Sequence, residues 1–309
     1  MSRSLDTRSH PPLALARADA VWPWLGVGLL AVALLWSYWP VLAGLWGDWQ
    51  HDDNYSVGQL VPLAALYLLW NDRHRLAKCR LAPCWWGLGL ILLAQAGRAF
   101  GLLFLYESAE RYAFVLTTVG VVLLVAGRQV FWQARWILLF LFLMVPLPGR
   151  IHNLISGPLQ NMATACAVYT LELLGITVIR EGNVMMLNDE VPVAVAEACS
   201  GLRMLTAFVV VAAVLAYVVN RPKWQKATVV LSSVPVAILC NQIRLVVTAI
   251  LYLVASNEFA ERFFHDFAGL TMMPLAILLL IGELWILARL VTDEPAAATA
   301  SSAGRRRKR

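Results

Sequence analysis

Charged side chains are scarce in this chain of 309 residues. Only 14% of the residues are charged and 60% are hydrophobic, whereas a soluble domain carries about 25% charged residues. The mean hydropathy is +0.67, and several apolar runs approach the roughly 20 residues that cross a bilayer. The shortage of charge excludes a soluble globular protein. It predicts an all-α polytopic membrane protein.

Cysteine is sparse as well, with five residues in the whole chain. An odd, scattered set does not form a disulfide framework. Cys79 and Cys84 flank a loop, but no second Cys/His pair lies nearby to complete a zinc site. We therefore expect neither a bound metal nor a cofactor.

The positive charge of the chain is concentrated in short loops. A net charge of +6 can indicate a nucleic-acid partner, but basic loops between apolar runs are the topology signal of a membrane protein. We therefore expect anionic membrane lipids as the electrostatic partner and no nucleic acid. With the N-terminus inside, 18 of the 25 lysines and arginines fall on the cytoplasmic side, which predicts that both termini are cytoplasmic.

Eight membrane spans are expected in a single domain, residues 21–291. They fall at about 22–46, 57–70, 85–106, 112–127, 136–148, 200–220, 227–253 and 267–290. Residues 1–20 are predicted to be a cytoplasmic N-terminal tail, and residues 292–309 a basic cytoplasmic tail.

The parity of these spans leaves residues 154–174 unable to cross the membrane alone. They are predicted to form an interfacial or re-entrant helix, broken near its start by Gly157 and Pro158. The following residues, 177–198, alternate in polarity and contain two turn-like clusters. This pattern is typical of a small cap of three strands, expected on the outer face.

A polar cluster follows the alternating run at the start of the sixth span. It consists of Glu197, Cys199, Ser200, Gly201 and Arg203. We expect Cys199, Ser200 and Gly201 in the first turn of the helix, where unpaired N–H groups and the helix dipole favour the thiolate form of Cys199. Arg203, about one turn further along, adds a cation.

Two more reactive side chains are expected at the same outer surface. Arg244 lies about a third of the way in from the outer end of the next span. Asn241, three residues earlier, shares its face and is predicted to orient it by hydrogen bonding. His265, followed by Asp266, immediately precedes the last span. A thiol beside an imidazole suits nucleophilic acyl transfer, and an arginine suits stabilisation of an oxyanion.

The residues alone leave other interpretations open. Cys199 can be a packing residue, Arg244 can extend to the interface along its aliphatic stem, and His265 can be interfacial. In a non-enzymatic transporter or polysaccharide-export scaffold, Arg98 and Arg244 would line a polar path. Acyl transfer to a lipid or a glycan would use the same thiol.

Five short motifs of the chain resemble motifs of the exosortase family. The catalytic pattern is EACSGLR (197–203), NQIR (241–244) and FHDFAG (264–269). Two earlier stretches, WQHDDNYSVGQLVPL (49–63) and VPLPGRIHNLIS (145–156), resemble the family's N-terminal and middle motifs. The resemblance covers about residues 20–291.

The resemblance implies a bacterial inner-membrane cysteine transpeptidase with its site at the periplasmic face. Its substrates would be exported proteins with a C-terminal PEP-CTERM signal, which consists of a Pro-Glu-Pro motif, a transmembrane helix and a basic tail. The acceptor is open, and a link to exopolysaccharide is implied. The family's catalytic Cys, Arg and His correspond to Cys199, Arg244 and His265.

Two departures from the family pattern are visible. Some members carry a fused C-terminal soluble domain that this chain lacks, so an accessory domain, if needed, is expected to be a separate protein. The usual Ser-His-Gly near the N-terminal motif reads Ser56-Val57-Gly58 here, so no histidine function is assigned there.

Overall fold

The computed structural model describes residues 26–52, 54–189, 191–195, 201–255 and 268–290. The chain forms two compact units. The first consists of the described residues within Met1–Asp52 and Ala65–Pro146, and the second of those within Asp53–Ala64 and Leu147–Arg309.

Helices dominate the described residues, and a small sheet accompanies them. The α-helices are α1 Gly26–Ser37, α2 Trp39–His51, α3 Leu60–Asn71, α4 Arg73–Leu76, α5 Trp86–Phe104, α6 Glu107–Val125, α7 Gly127–Phe140, α8 Gly149–Leu173, α9 Leu202–Val218, α10 Lys223–Val254 and α11 Ala268–Leu290. Short 3₁₀ helices cover Ser56–Gln59 and Leu141–Met144. The strands are β1 Val178–Glu181, β2 Val184–Leu187 and β3 Val191–Ala194.

The apolar helices identify an integral membrane protein, but the predicted count of eight spans is not confirmed. Within the described ranges, α5, α6 and α10 are long and apolar enough to cross a bilayer, and the number rises to five if each of two interrupted helix pairs is one span. The expected spans at 57–70 and 200–220 are helices of only 12 and 17 residues. Both fall short of the roughly 20 residues that a bilayer requires.

The predicted first span, 22–46, is not one continuous helix in the part that the structure describes. It breaks at Tyr38, and α1 and α2 meet at 63°. Pro40, in the first turn of α2, has no N–H to donate to the preceding turn. The second helix also continues to His51, through residues expected to be a loop.

Arg98 occupies this helix break. Its guanidinium donates to the hydroxyl of Ser37 at 2.9 Å and to the Ser37 carbonyl at 2.7 Å, and it lies 4.3 Å from the ring centroid of Tyr38. A carbonyl released from the helix thus gains a donor inside an apolar region, where an unsatisfied group costs several kcal/mol. The arginine within the third predicted span therefore has a structural explanation.

Two further boundaries differ from those expected. The fifth apolar run, expected at 136–148, is already helical at Gly127 and ends in the 3₁₀ helix Leu141–Met144.

The predicted break at Gly157 and Pro158 is wrong, because α8 continues through Pro158 as one helix of 25 residues. A single proline removes only one backbone hydrogen bond, and buried residues further along α8 hold the helix in place.

Helices α5 and α6 of the first unit pack with almost no space between their backbones. A Cβ added to Gly87 would lie 2.6 Å from the Gly120 carbonyl oxygen and would also collide with the backbone nitrogen of Leu124. Beside this contact, the Tyr38 hydroxyl is 2.8 Å from the Thr117 hydroxyl and accepts a hydrogen bond from Gln95 at 3.0 Å. Small residues thus permit close approach, and a buried polar group joins α5 and α6 to the break.

The second unit contains the predicted small sheet, which is confirmed as three strands. β2 lies in the middle and pairs antiparallel with both neighbours, with Val178 opposite Leu187 and Leu187 opposite Val191. Its inner face packs in one apolar cluster with α8 and α10. That cluster includes Ala163, Ala167, Leu171, Met185, Leu187, Val193, Val195, Leu245 and Ala249.

The close contact between α5 and α6 predicts that alanine destabilises the protein at Gly87 but not at Gly89 of the same helix. Gly87→Ala would force the helices apart and destabilise the protein by about 1–3 kcal/mol. Gly89→Ala is the matched control, because its added Cβ would meet nothing within 4 Å. Thermal unfolding in detergent measures both, and equal melting temperatures for the two variants would contradict the packing described.

Candidate functional site

Gly201 begins α9 as its N-cap residue, with φ of +89°. Only glycine adopts this left-handed conformation readily. The expectation that Gly201 and Cys199 lie in the first turn is therefore wrong for Gly201, because the helix begins one residue later at Leu202. Glu197, Cys199 and Ser200 lie outside the described residues, as do His265 and Asp266.

Asn241 faces Gly201 across the start of α9. A Cβ added to Gly201 would lie 3.1 Å from the Asn241 side-chain nitrogen, so the absence of a side chain lets α9 approach α10 at this level. The same side chain contacts Arg244, whose Nη2 donates to Asn241 Oδ1 at 3.0 Å. This is the hydrogen bond that the three-residue spacing predicts.

Arg244 is almost completely buried, with 7% of its surface exposed. Asn241 is 3% exposed and Thr248 is 2% exposed. The Thr248 hydroxyl donates to the Arg244 carbonyl at 2.8 Å. A guanidinium cannot lose its proton in a protein, so this site holds a permanent positive charge in an apolar helix. Such a charge suits binding of an anion or of a developing oxyanion.

The Arg244 region is therefore brought close to the residue that follows the Cys199-Ser200 pair. Gly201 contacts Asn241, and Asn241 contacts Arg244. Arg203, at the second position of α9, is partly buried. Of the predicted site residues, the structure thus describes Gly201, Arg203, Asn241 and Arg244.

Gln160 contacts the segment that leads to Cys199, and the sequence did not predict this contact. Its Nε2 donates to the Val195 carbonyl at 2.6 Å, and the Val195 N–H donates to the Asn183 carbonyl at 2.8 Å. Val195 is 3% exposed and lies four residues before Cys199. The bond therefore fixes the described residue that leads towards the cysteine. In the sequence, the only sign of this contact is that Gln160 is a polar residue in α8, a mostly apolar helix.

Gln242 joins α10 to α8 next to this contact. With its amide oriented to satisfy both atoms, its nitrogen donates to the Ala163 carbonyl at 3.1 Å and its oxygen accepts from the Ala167 N–H at 2.7 Å. Consecutive residues of α10 therefore contact different partners: Asn241 contacts Arg244, and Gln242 contacts α8. The NQIR motif determines packing as well as the position of the charge.

Tyr55 and His152 form a second polar pair that the sequence analysis did not predict. The Tyr55 hydroxyl is 2.6 Å from His152 Nδ1, and the two rings meet edge to face. His152 is 7% exposed. The 3₁₀ helix that follows Tyr55 packs against α9. The two motifs that contain Tyr55 and His152 are therefore joined directly, although 97 residues separate the pair.

The contact between Asn241 and Arg244 predicts strong coupling in a double-mutant cycle. Asn241→Leu alone would remove an acceptor from a buried charge and destabilise the protein by about 2–3 kcal/mol. Replacement of both residues, as Asn241→Leu with Arg244→Met, would cost less than the sum of the two single changes. Thermal or denaturant unfolding in detergent measures the cycle, and additive effects would show that the two side chains do not interact.

Comparison with known proteins identifies the family of the chain. A family model described as transmembrane exosortase matches residues 49–282. No curated protein and no solved structure matches the chain. The matched range includes both motifs of the Tyr55–His152 pair and the Gly201–Asn241–Arg244 contacts. The chain belongs to the transmembrane exosortase family.

Proposed function

We propose that this protein is a membrane-embedded cysteine transpeptidase that cleaves PEP-CTERM-type sorting signals from exported proteins. Family membership supports a membrane transpeptidase role in general. The observation that carries the proposal furthest is the buried guanidinium of Arg244, bonded to Asn241 at 3.0 Å. Asn241 in turn contacts Gly201, which lies two residues after Cys199. The buried charge of Arg244 is therefore linked, through Asn241, to the residue that follows Cys199 and Ser200 in the chain.

The proposed reaction has two acyl-transfer steps. The Cys199 thiolate attacks the scissile carbonyl, and Arg244 stabilises the negative oxygen of the tetrahedral intermediate. The intermediate collapses to a thioester as the C–N bond breaks, and His265 gives its proton to the departing amine. An acceptor amine, or water, then attacks the thioester carbon as His265 takes its proton, and the C–S bond breaks to release Cys199 as its thiolate.

The remaining motif residues have supporting roles in this proposal. Asn241 holds Arg244 in place, and Gly201 allows α9 to approach Asn241. Arg203 adds positive charge near the thiol, Asp266 orients His265, and Glu197 and Ser200 shape the segment around Cys199. The active site lies at the periplasmic face of the bacterial inner membrane with both termini cytoplasmic, and the processed proteins serve exopolysaccharide or biofilm surface assembly.

A processing assay in membranes tests the three catalytic assignments. A reporter with a PEP-CTERM-type tail is co-expressed with the wild type and with Cys199→Ala, Arg244→Ala or His265→Ala. We expect each variant to lose at least about a hundredfold in processing rate, because each removes a group that acts on the reacting bond. Mobility and intact mass of the reporter give the rate and identify the acceptor.

Matched controls separate the mechanism from general damage to the protein. Cys166→Ala and His74→Ala remove an exposed cysteine and an exposed histidine and should process normally. Processing that persists in Cys199→Ala would overturn the thiol mechanism and favour a transporter or an export scaffold. A lipid or a glycan in the product mass would instead identify acyl transfer to that acceptor.

The bond from Gln160 to Val195 generates a separate expectation. Gln160→Met preserves the length of the side chain but cannot donate, so it would lower kcat about tenfold and leave KM unchanged. Alkylation of Cys199 by a maleimide, measured on the folded protein alone, should also change in rate, because the bond holds the residue that leads towards the thiol. Gln129→Met is the control, because it removes a comparable bond, from the Arg80 N–H at 2.9 Å. Wild-type kcat in Gln160→Met would show that the bond does not position the site.

A further inference from the structure

An acidic side chain lies inside the apolar part of the last described helix. Glu283 belongs to α11, within the apolar stretch Pro274–Leu287. Ionisable groups within membrane helices are costly, and they usually mark sites of function. The family model matches residues 49–282, so Glu283 lies immediately beyond the matched residues. The proposed catalytic mechanism does not use it.

Glu283 is bonded to Ser232 of α10. The Ser232 hydroxyl donates to Glu283 Oε2 at 2.6 Å, so one oxygen of the side chain has a donor. In the described part of the chain, no lysine, arginine or histidine forms an ion pair with Glu283. The nearest arginine along α11, Arg289, instead lies with its guanidinium 4.0 Å from the ring centroid of Trp285.

The Ser232–Glu283 pair lies at an exposed, mostly apolar surface of α10 and α11. Both residues are partly exposed. Leu279 and Ile286, one helical turn before and after Glu283, are exposed on α11, and Leu231 is exposed on α10. Among the described residues, Glu283 therefore has a hydroxyl partner and exposed apolar neighbours but no cation. A second membrane helix that carries one would complete the site.

We propose that Glu283 and Ser232 bind a lysine or arginine of the substrate's membrane helix. This inference rests on the proposed function, in which the substrate enters as a transmembrane helix. Glu283 lies seven residues from the end of α11, which is about 10 Å along a helix axis. A long cationic side chain near the cytoplasmic end of the substrate helix reaches this depth with its stem against Leu279 and Ile286. Charge complementarity then selects substrates with a basic residue at that depth.

A reciprocal charge exchange tests the pairing. Glu283→Gln preserves size and the hydrogen bond to Ser232, so we expect an apparent KM for a cationic reporter helix about tenfold higher, with kcat unchanged. Glu283→Lys should fail with that reporter. It should recover with a reporter whose basic residue at that depth is changed to glutamate. Glu172→Gln is the matched control, because Glu172 is an exposed acid of α8 in the same unit.

A binding readout keeps the inference testable even if no reporter is cleaved. A photoreactive residue in place of Leu279 would crosslink the cationic reporter helix in membranes, with fewer crosslinks in Glu283→Gln and recovery in the charge-exchanged pair. If the wild type does not cleave the reporter but still crosslinks to it, and Glu283→Gln crosslinks less, the proposed function is overturned and this binding site is not. Equal crosslinking and equal KM in the wild type and Glu283→Gln would overturn the site alone.

Discussion

The buried charge of Arg244 is the constraint on which the second unit depends. A guanidinium that is 7% exposed has lost most of its hydration, and its proton cannot be removed to relieve the cost. Asn241 supplies an acceptor, and Gly201 leaves room for Asn241 because it has no side chain. The apolar cluster of α8, α10 and the sheet holds α10 in place. The polar contact and the apolar packing therefore support the same arrangement.

Arg98 shows why a charge inside a membrane helix does not by itself identify an active site. Its guanidinium donates to the Ser37 hydroxyl and carbonyl where α1 and α2 separate, so its position is explained by backbone groups that the break leaves exposed. Arg244 lies in an unbroken helix and contacts a side chain. The described contacts of Arg98 satisfy backbone and hydroxyl groups at a helix break, whereas the bond from Arg244 to Asn241 joins two side chains within one continuous helix.

The sequence predicted those elements whose signal is a continuous apolar run or a regular alternation of polarity. The apolar runs of α5, α6 and α10 were recognisable because each is long and continuous, and the alternating residues before α9 indicated three strands. Pro40 and Pro158 look equivalent in sequence, yet α1 and α2 separate beside Pro40 whereas α8 continues through Pro158. Tertiary contacts decide such cases. The bonds from Gln160 to Val195 and from Tyr55 to His152 join residues 35 and 97 positions apart, and no local pattern predicts them.

Helix α10 relates the two polar sites of the second unit. Ser232 and Arg244 are twelve residues apart on this helix, a rise of about 18 Å, which is less than the roughly 30 Å thickness of the hydrocarbon core. A substrate helix held at Ser232 and Glu283 would reach the level of Arg244 about 18 Å further along α10, where Arg244 lies about 120° round the helix from Ser232. Cation binding at one end would then fix how far the substrate helix rises past Arg244. The position of the scissile bond would be set by helix length, without recognition of each residue between.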